Sequence, residues 1–270
     1  MTYEVEETSP EGEWHLPGEI RVAEAHDLYD DLAIAFASAA LEAVKARGCF
    51  HVALSGGSTP EPFYMHLVID PRYRAIPWEK SHLWIVDERR VAEDHEKSNV
   101  RMIRHVLTDH LPMKKRQLHP MPVLLDDPAG AYIEELSRVF ESAAASQPGA
   151  GLATGDAIPR LDFVLLGMGD DAHTASLFPH SPALNEKERW VANNDGPKVT
   201  PPPRVTMTYP LLNAAREIAV LCVGAKKLPT LQRVSEQMKT GPDPANLPIT
   251  GIAPTAGTLT WYLDTAAAGE

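Results

Sequence analysis

From Asp27 to Arg47 the apolar residues Leu32, Phe36, Ala40 and Val44 recur every four positions, the spacing of one face of an α-helix. Asp27 stands where a side chain can cap the first turn, and Gly48 follows where the chain must turn away. The period then changes. Phe50–Leu54 is a short apolar run followed by paired glycines, which reads as a buried strand. Runs of the same kind return at 82–86, 163–166 and 218–223, each followed by polar or glycine-rich residues and then helix-like sequence, and a last run spans 259–263. Strand, loop and helix in alternation make βαβ units, and unbroken apolar strands belong to parallel sheets covered on both sides. The pattern therefore predicts an α/β, Rossmann-like fold: a mostly parallel sheet flanked by helices on both faces.

Two stretches interrupt this pattern, residues 142–159 (SAAASQPGAGLATGDAIP) and the proline-rich 241–257. The first reads as a flexible surface insertion. Since the alternation resumes after each, both are expected to be loops within a single domain over 19–267. Residues 1–18 are acidic at the start and are expected to be flexible, without the basic start and apolar stretch of a secretory signal.

Composition narrows the partners more than the fold. A formal net charge of -12 over 270 residues disfavours nucleic acid and anionic membrane surfaces. Apolar residues make up 44% of the chain, enough for a sizeable core, yet no run approaches the roughly 20 residues that cross a bilayer. Cys49 and Cys222 are the only cysteines, and buried thiols in a reducing cytoplasm suit them better than a disulfide. The expectation is a cytoplasmic protein, a monomer or small homo-oligomer, with a small-molecule partner.

In open parallel sheets, ligands sit outside the carboxyl ends of the strands, so the residues just after each apolar run carry the chemistry. After 50–54 come Ser55, Gly56, Gly57, Ser58 and Thr59, with Thr59 placed to cap a helix and Pro60 suited to its first turn. Two glycines before a helix N-terminus suit a phosphate cradle or a simple tight turn. After 82–86, charged residues crowd together: Asp87 and Arg89 stand out, Arg89 as a fork for phosphate, and His95 equally suits a local backbone bond. After 163–166 the run LLGMGDDAHTASLFP offers His173 as a base near neutral pH and Asp171 to fix its tautomer. No H-x-x-x-H or cysteine pair accompanies it, so no metal site is expected. After 218–223, Lys226 or Lys227 can reach a phosphate, and PPPRVTMT adds Arg204 before another strand.

Taken together, LSGGSTP, VDERRV with H-x-x-S-N after it, GMGDDAHTASLFP, PPPRVTMT and TWYLDTAA resemble the 6-phosphogluconolactonase family from about residue 20 to 267. His-Thr-Ala-Ser-Leu-Phe-Pro at 173–179 is the most specific element, because the related glucosamine-6-phosphate deaminases carry a different run there. The resemblance implies the sugar-phosphate isomerase/deaminase fold, no metal or organic cofactor, and hydrolysis of 6-phospho-D-glucono-1,5-lactone, the second step of the oxidative pentose phosphate pathway. It further implies that Gly56, Gly57, Ser58, Thr59, Arg89, Lys227 and Arg204 hold the phosphate, with Ser55 and Asp87 beside them, while His173 and Asp171 flank the lactone. The chain departs from the family pattern at Ala172, where glycine is usual, at Asp170, often proline, and at Ala92. If position 172 needs a positive φ, alanine there costs about 1 kcal/mol. Two rival readings keep the same pocket: an amino-sugar-phosphate deaminase or isomerase, and a non-catalytic sugar-phosphate sensor. No helix pair or basic face for DNA accompanies the latter.

Overall fold

In the computed structural model, the described residues are 14–146, 158–196, 198–200 and 202–270. Seven strands form one all-parallel sheet: β1 (Glu19–Ala23), β2 (Phe50–Leu54), β3 (Ser81–Ile85), β5 (Leu118–His119), β6 (Phe163–Gly167), β9 (Glu217–Cys222) and β10 (Thr258–Asp264). Their order is β1-β10-β9-β6-β2-β3-β5. A second, antiparallel sheet joins β4 (Asp87–Arg89), β8 (Arg204–Met207) and β7 (Val191–Asn194) in the order β4-β8-β7.

Every residue of β2 is buried, so both faces of the central sheet are covered. Adjacent residues on a strand point to opposite faces. Phe50 meets Phe36 of helix α1 (Ala25–Arg47), with ring centroids 5.3 Å apart. Its neighbour His51 stacks instead on Phe140 of α4 (Pro128–Ser146) at 4.1 Å. The expected two-sided sheet is thus built by α1 on one side and α4 on the other.

Four expectations change at the level of residues. Helix α1 starts at Ala25 with Glu24 at its cap position, so Asp27 lies inside the first turn and caps nothing. Helix α2 runs Glu61–Ile69 with Pro60 at the cap position, one residue beyond the expected start, because the Pro60 carbonyl already accepts from the Tyr64 N–H. Residues 142–146, expected in a loop, complete α4, an alanine-rich ending that favours helix. Residues 147–157 of the same stretch, and 1–13 of the amino-terminal segment, lie outside the described residues. Residues 14–18 are docked: Leu16 is buried, and Trp261 donates its indole N–H to the Pro17 carbonyl.

His51, His82 and His119 form a stack across β2, β3 and β5, continued by Trp84, whose ring lies 3.9 Å from that of His119. Burial, followed by the charges of neighbouring cationic groups, holds all three imidazoles below their ordinary pKa. A base neutral when folded but free to protonate when unfolded gives stability that is complete above about pH 6.5 and lost as pH falls toward the folded-state values. Denaturant titrations from pH 7.5 to 4.5 should show this decline, and His119→Gln should reduce its slope. An unchanged slope would assign the acid sensitivity to other groups.

Candidate active site

The strand order reverses between β2 and β6. One half of the sheet winds outward through β3 and β5, the other through β9 and β10, which opens a crevice at the carboxyl ends of the two central strands. The Ser55 hydroxyl donates to the Leu165 carbonyl across that seam at 2.8 Å. Above it lies a cavity of about 290 Å³ lined by the 55–60 turn, Asp87, Arg89, Asn99, the 167–169 turn, His173, Ser176, Phe178, Thr200 and Arg204. Of the residues that the resemblance assigns to the phosphate and the lactone, all except Asp171 and Lys227 line it.

The turn after β2 leaves its backbone open to the cavity. Gly57 has φ +98°, a conformation unfavourable for a side chain, and Gly56 sits so close to Asn99 that a Cβ would fall 2.0 Å from its Oδ1. Helix α2 then begins, presenting free N–H groups and the positive end of its dipole. Among the described residues neither Ser58 nor Thr59 has a side-chain hydrogen-bond partner, and Ser58 is exposed. Thr59, expected as a cap, is instead free to face a ligand.

Opposite that turn, Arg89 and Arg204 are direct partners across β4 and β8. Like charges in such a pair repel. Arg89 donates to the Lys97 carbonyl (2.6 Å) and Arg204 to the Thr200 carbonyl (3.2 Å), but the Nε atoms of both are buried without a partner. Burial, then the Arg89 charge, pushes the Arg204 pKa below the usual arginine value. A divalent anion between the two guanidinium groups would satisfy both charge and unmet hydrogen bonding. Asp87 shares their sheet and lines the same cavity, its Oδ2 accepting from the Ser176 hydroxyl at 2.5 Å.

His173 ends the turn after β6. Its Nδ1 lies 2.5 Å from Asp171 Oδ1, and its backbone N–H also donates to that oxygen at 3.1 Å. Burial raises the Asp171 pKa, but the hydrogen bonds and charge of His173 outweigh it and hold the carboxyl below the usual range. With a carboxylate on Nδ1, the proton sits there and Nε2 is left as a base. The ring packs on Phe178, centroids 4.7 Å apart. Ala172 is indeed left-handed, with φ 64°, so the departure from glycine does place a Cβ in a disfavoured conformation.

Lys227 is placed elsewhere. Its ammonium lies 2.7 Å from Asp170 Oδ1, and it is absent from the cavity lining among the described residues. Lys226 is exposed, and His95 serves a local turn by accepting from the Lys97 N–H. Two site residues escaped the sequence reading. Asn99 lines the cavity while its amide donates to the Asp87 carbonyl; the only signal was its place in H-x-x-S-N. Gly169 is the other, since a Cβ there would lie 2.1 Å from His173 Nδ1. Among the described residues, one group of three side chains could hold a metal, Asp30, His66 and Asp70, and Arg72 already bridges both carboxylates.

A phosphate-sized cradle, a pair of unsatisfied arginines and a carboxylate-held histidine in one switch-point crevice define a sugar-phosphate enzyme of the isomerase and lactonase type. The chain belongs to the family described as glucosamine-6-phosphate isomerases/6-phosphogluconolactonase, which matches residues 23–261. It is 41% identical to a 6-phosphogluconolactonase of Nostoc sp. over 233 residues, 84% of this chain and 87% of that protein. Among solved structures, 6-phosphogluconolactonase from Trypanosoma cruzi superposes with a TM-score of 0.73 at 25% identity, covering 95% of this chain and 98% of that one. A monomeric glucosamine-6-phosphate deaminase reaches 0.70 at 16% identity, covering 93% and 99%, a likeness of fold alone.

Gly169→Ala tests the imidazole's placement. The methyl group must push the ring aside, and a displacement of about 1 Å lowers a rate by about 10²-fold. The variant should keep its melting temperature within a few degrees while kcat collapses; a retained kcat would show that the ring has room to spare.

Proposed function

We propose that the chain hydrolyses 6-phospho-D-glucono-1,5-lactone to 6-phospho-D-gluconate in the oxidative pentose phosphate pathway, with His173 as the base that activates water. The observation that carries this reading is a single one: the arginine pair and the histidine line the same cavity. The phosphate is held by the N–H groups of the 56–59 turn, the start of α2, Arg89 and Arg204, which presents the lactone ring toward His173. Nε2 takes a proton from water as its oxygen bonds to the carbonyl carbon. When the tetrahedral intermediate collapses, the ring carbon–oxygen bond breaks and His173 returns the proton to the departing oxygen. Asp171 stabilises the imidazolium between these steps. No covalent intermediate is required, and the reading needs no cofactor.

The deaminase alternative uses the same cradle, but the relative at 41% identity over 84% of this chain is a lactonase. A cytoplasmic address belongs to the same reading. Cys49 and Cys222 are free thiols, and no helix among the described residues is long and apolar enough to cross a membrane.

Acid release from freshly prepared lactone is the direct assay, corrected for spontaneous opening. His173→Ala should lower kcat by about 10²- to 10⁴-fold, and a rate equal to wild type would remove the histidine from the mechanism. Arg204→Met should act differently, raising KM at least about tenfold through loss of a charge-assisted contact. Ammonia release from glucosamine 6-phosphate in place of lactone opening would favour the deaminase.

A further inference from the structure

The run His-Thr-Ala-Ser-Leu-Phe-Pro turns back on itself. Ala175 has φ 51°, Thr174 and Leu177 pair as a single antiparallel bridge, and the Leu177 N–H donates to the Thr174 carbonyl at 2.9 Å. The reversal brings residue 178 beside residue 173, and the rings of Phe178 and His173 lie 4.7 Å apart, tilted by 40°. The same turn is pinned to the small sheet. The Ser176 N–H donates to Thr206 Oγ1 on β8 at 3.1 Å, and the Asn194 amide on β7 donates to the Ser176 carbonyl at 2.7 Å. Arg204 stands two residues before Thr206 on β8 and so shares its face. Its guanidinium carbon lies 5.7 Å from the centre of the Phe178 ring, within the range of a cation–π contact.

The ring is not there to fill the core. Phe178 is 4% exposed, yet it stands apart from the apolar core that the described residues form, and it lines the cavity. Each of its neighbours lacks a restraint that the ring supplies. Arg204 is held at the Thr200 carbonyl, but its Nε is buried with no partner among the described residues, and Arg89 faces it as a like charge. The negative face of an aromatic ring attracts such a guanidinium and fixes its plane. His173 is tied to Asp171 through Nδ1. One hydrogen bond on a ring edge still lets the ring swing about that contact, and a packed face removes the swing.

We infer that Phe178 is a positioning residue that holds His173 and Arg204 at a fixed separation. A phosphate seated on the arginine then delivers a carbonyl carbon to the base only when the substrate has the matching length. The inference rests on the lactonase reading above. It gives one side chain an effect on both binding and rate, which a space-filling residue would not have.

The test is a double-mutant cycle of Phe178→Leu and Arg204→Met, read by lactone hydrolysis and by calorimetric binding of inorganic phosphate. Phe178→Leu should lower kcat by about tenfold, since a displacement of about 1 Å costs up to about 10²-fold. It should also weaken the phosphate Kd by about three- to tenfold. With Arg204→Met already in place, Phe178→Leu should still lower kcat but leave the phosphate Kd within about twofold. The melting temperature should stay within a few degrees, and Phe178→Met, flexible and equally apolar, takes the place of leucine if it does not. An unchanged kcat, an unchanged phosphate Kd, or an equal loss of phosphate affinity in both backgrounds overturns the inference. If wild type fails to open the lactone, the activity reading falls by itself. The phosphate titrations then still decide the arginine half, and the NMR shifts of the His173 ring nitrogens decide the other. Mixed tautomers in Phe178→Leu, against a proton fixed on Nδ1 in wild type, support positioning, and unchanged shifts reject it.

Discussion

A parallel sheet collects the carboxyl ends of its strands on one edge, and a reversal of winding forces two neighbouring connections apart. Both conditions meet between β2 and β6, where the loops after Leu54 and Gly167 leave in opposite directions over a floor tied by Ser55 and Leu165. The 55–59 turn and the 168–173 turn, more than a hundred residues apart in the chain, therefore face each other without needing contacts of their own.

The small antiparallel sheet turns this crevice into a charged cavity. Val86 joins the two layers, its N–H donating to Leu54 and its carbonyl accepting from Met207. Alternation along β4 then divides three consecutive charges. Asp87 and Arg89 line the cavity, while Glu88 turns to the start of α3 (Asn99–Val106), accepting from the N–H groups of Arg89, Asn99 and Val100 and from the Ser98 hydroxyl. Burial raises the Glu88 pKa against the pull of those donors. One buried carboxylate thus fixes Arg89 and Asn99 together, and Asn99 in turn packs against Gly56.

The parts of this arrangement legible in the sequence were those with a strong local signal. The long period of α1, the five apolar runs and the glycine and histidine turns all announce themselves, and three of those runs lead into the site. The short strands β1, β5 and β7 do not, because half-exposed or very short segments carry no clear period. Asp27 and Thr59 had the right chemistry for caps, yet Glu24 and Pro60 occupy those positions, set by packing that local sequence does not encode. Lys227 illustrates a deeper limit. The family resemblance implied a phosphate ligand, but the partner it meets, Asp170, lies 57 residues away in another loop. Gly169 was invisible for a related reason: its role depends on where a distant ring stops.

The same crevice can serve hydrolysis or isomerisation, and the two place different demands on it. Hydrolysis needs one base that takes a proton from water and hands it to the leaving ring oxygen. In the proposed reading His173 meets that demand, with Asp171 held against Nδ1. Isomerisation instead carries a proton between two carbon atoms and calls for a base poised over the sugar carbons. Asp87 is the carboxylate in the cavity, and its Oδ2 already accepts the Ser176 hydroxyl at 2.5 Å, while Asn99 anchors its main chain. Ser176 belongs to the run His-Thr-Ala-Ser-Leu-Phe-Pro, the element that set the lactonase resemblance apart. That hydroxyl engages one oxygen of the cavity's carboxylate, Oδ2, which bears on the rival chemistry in the same crevice.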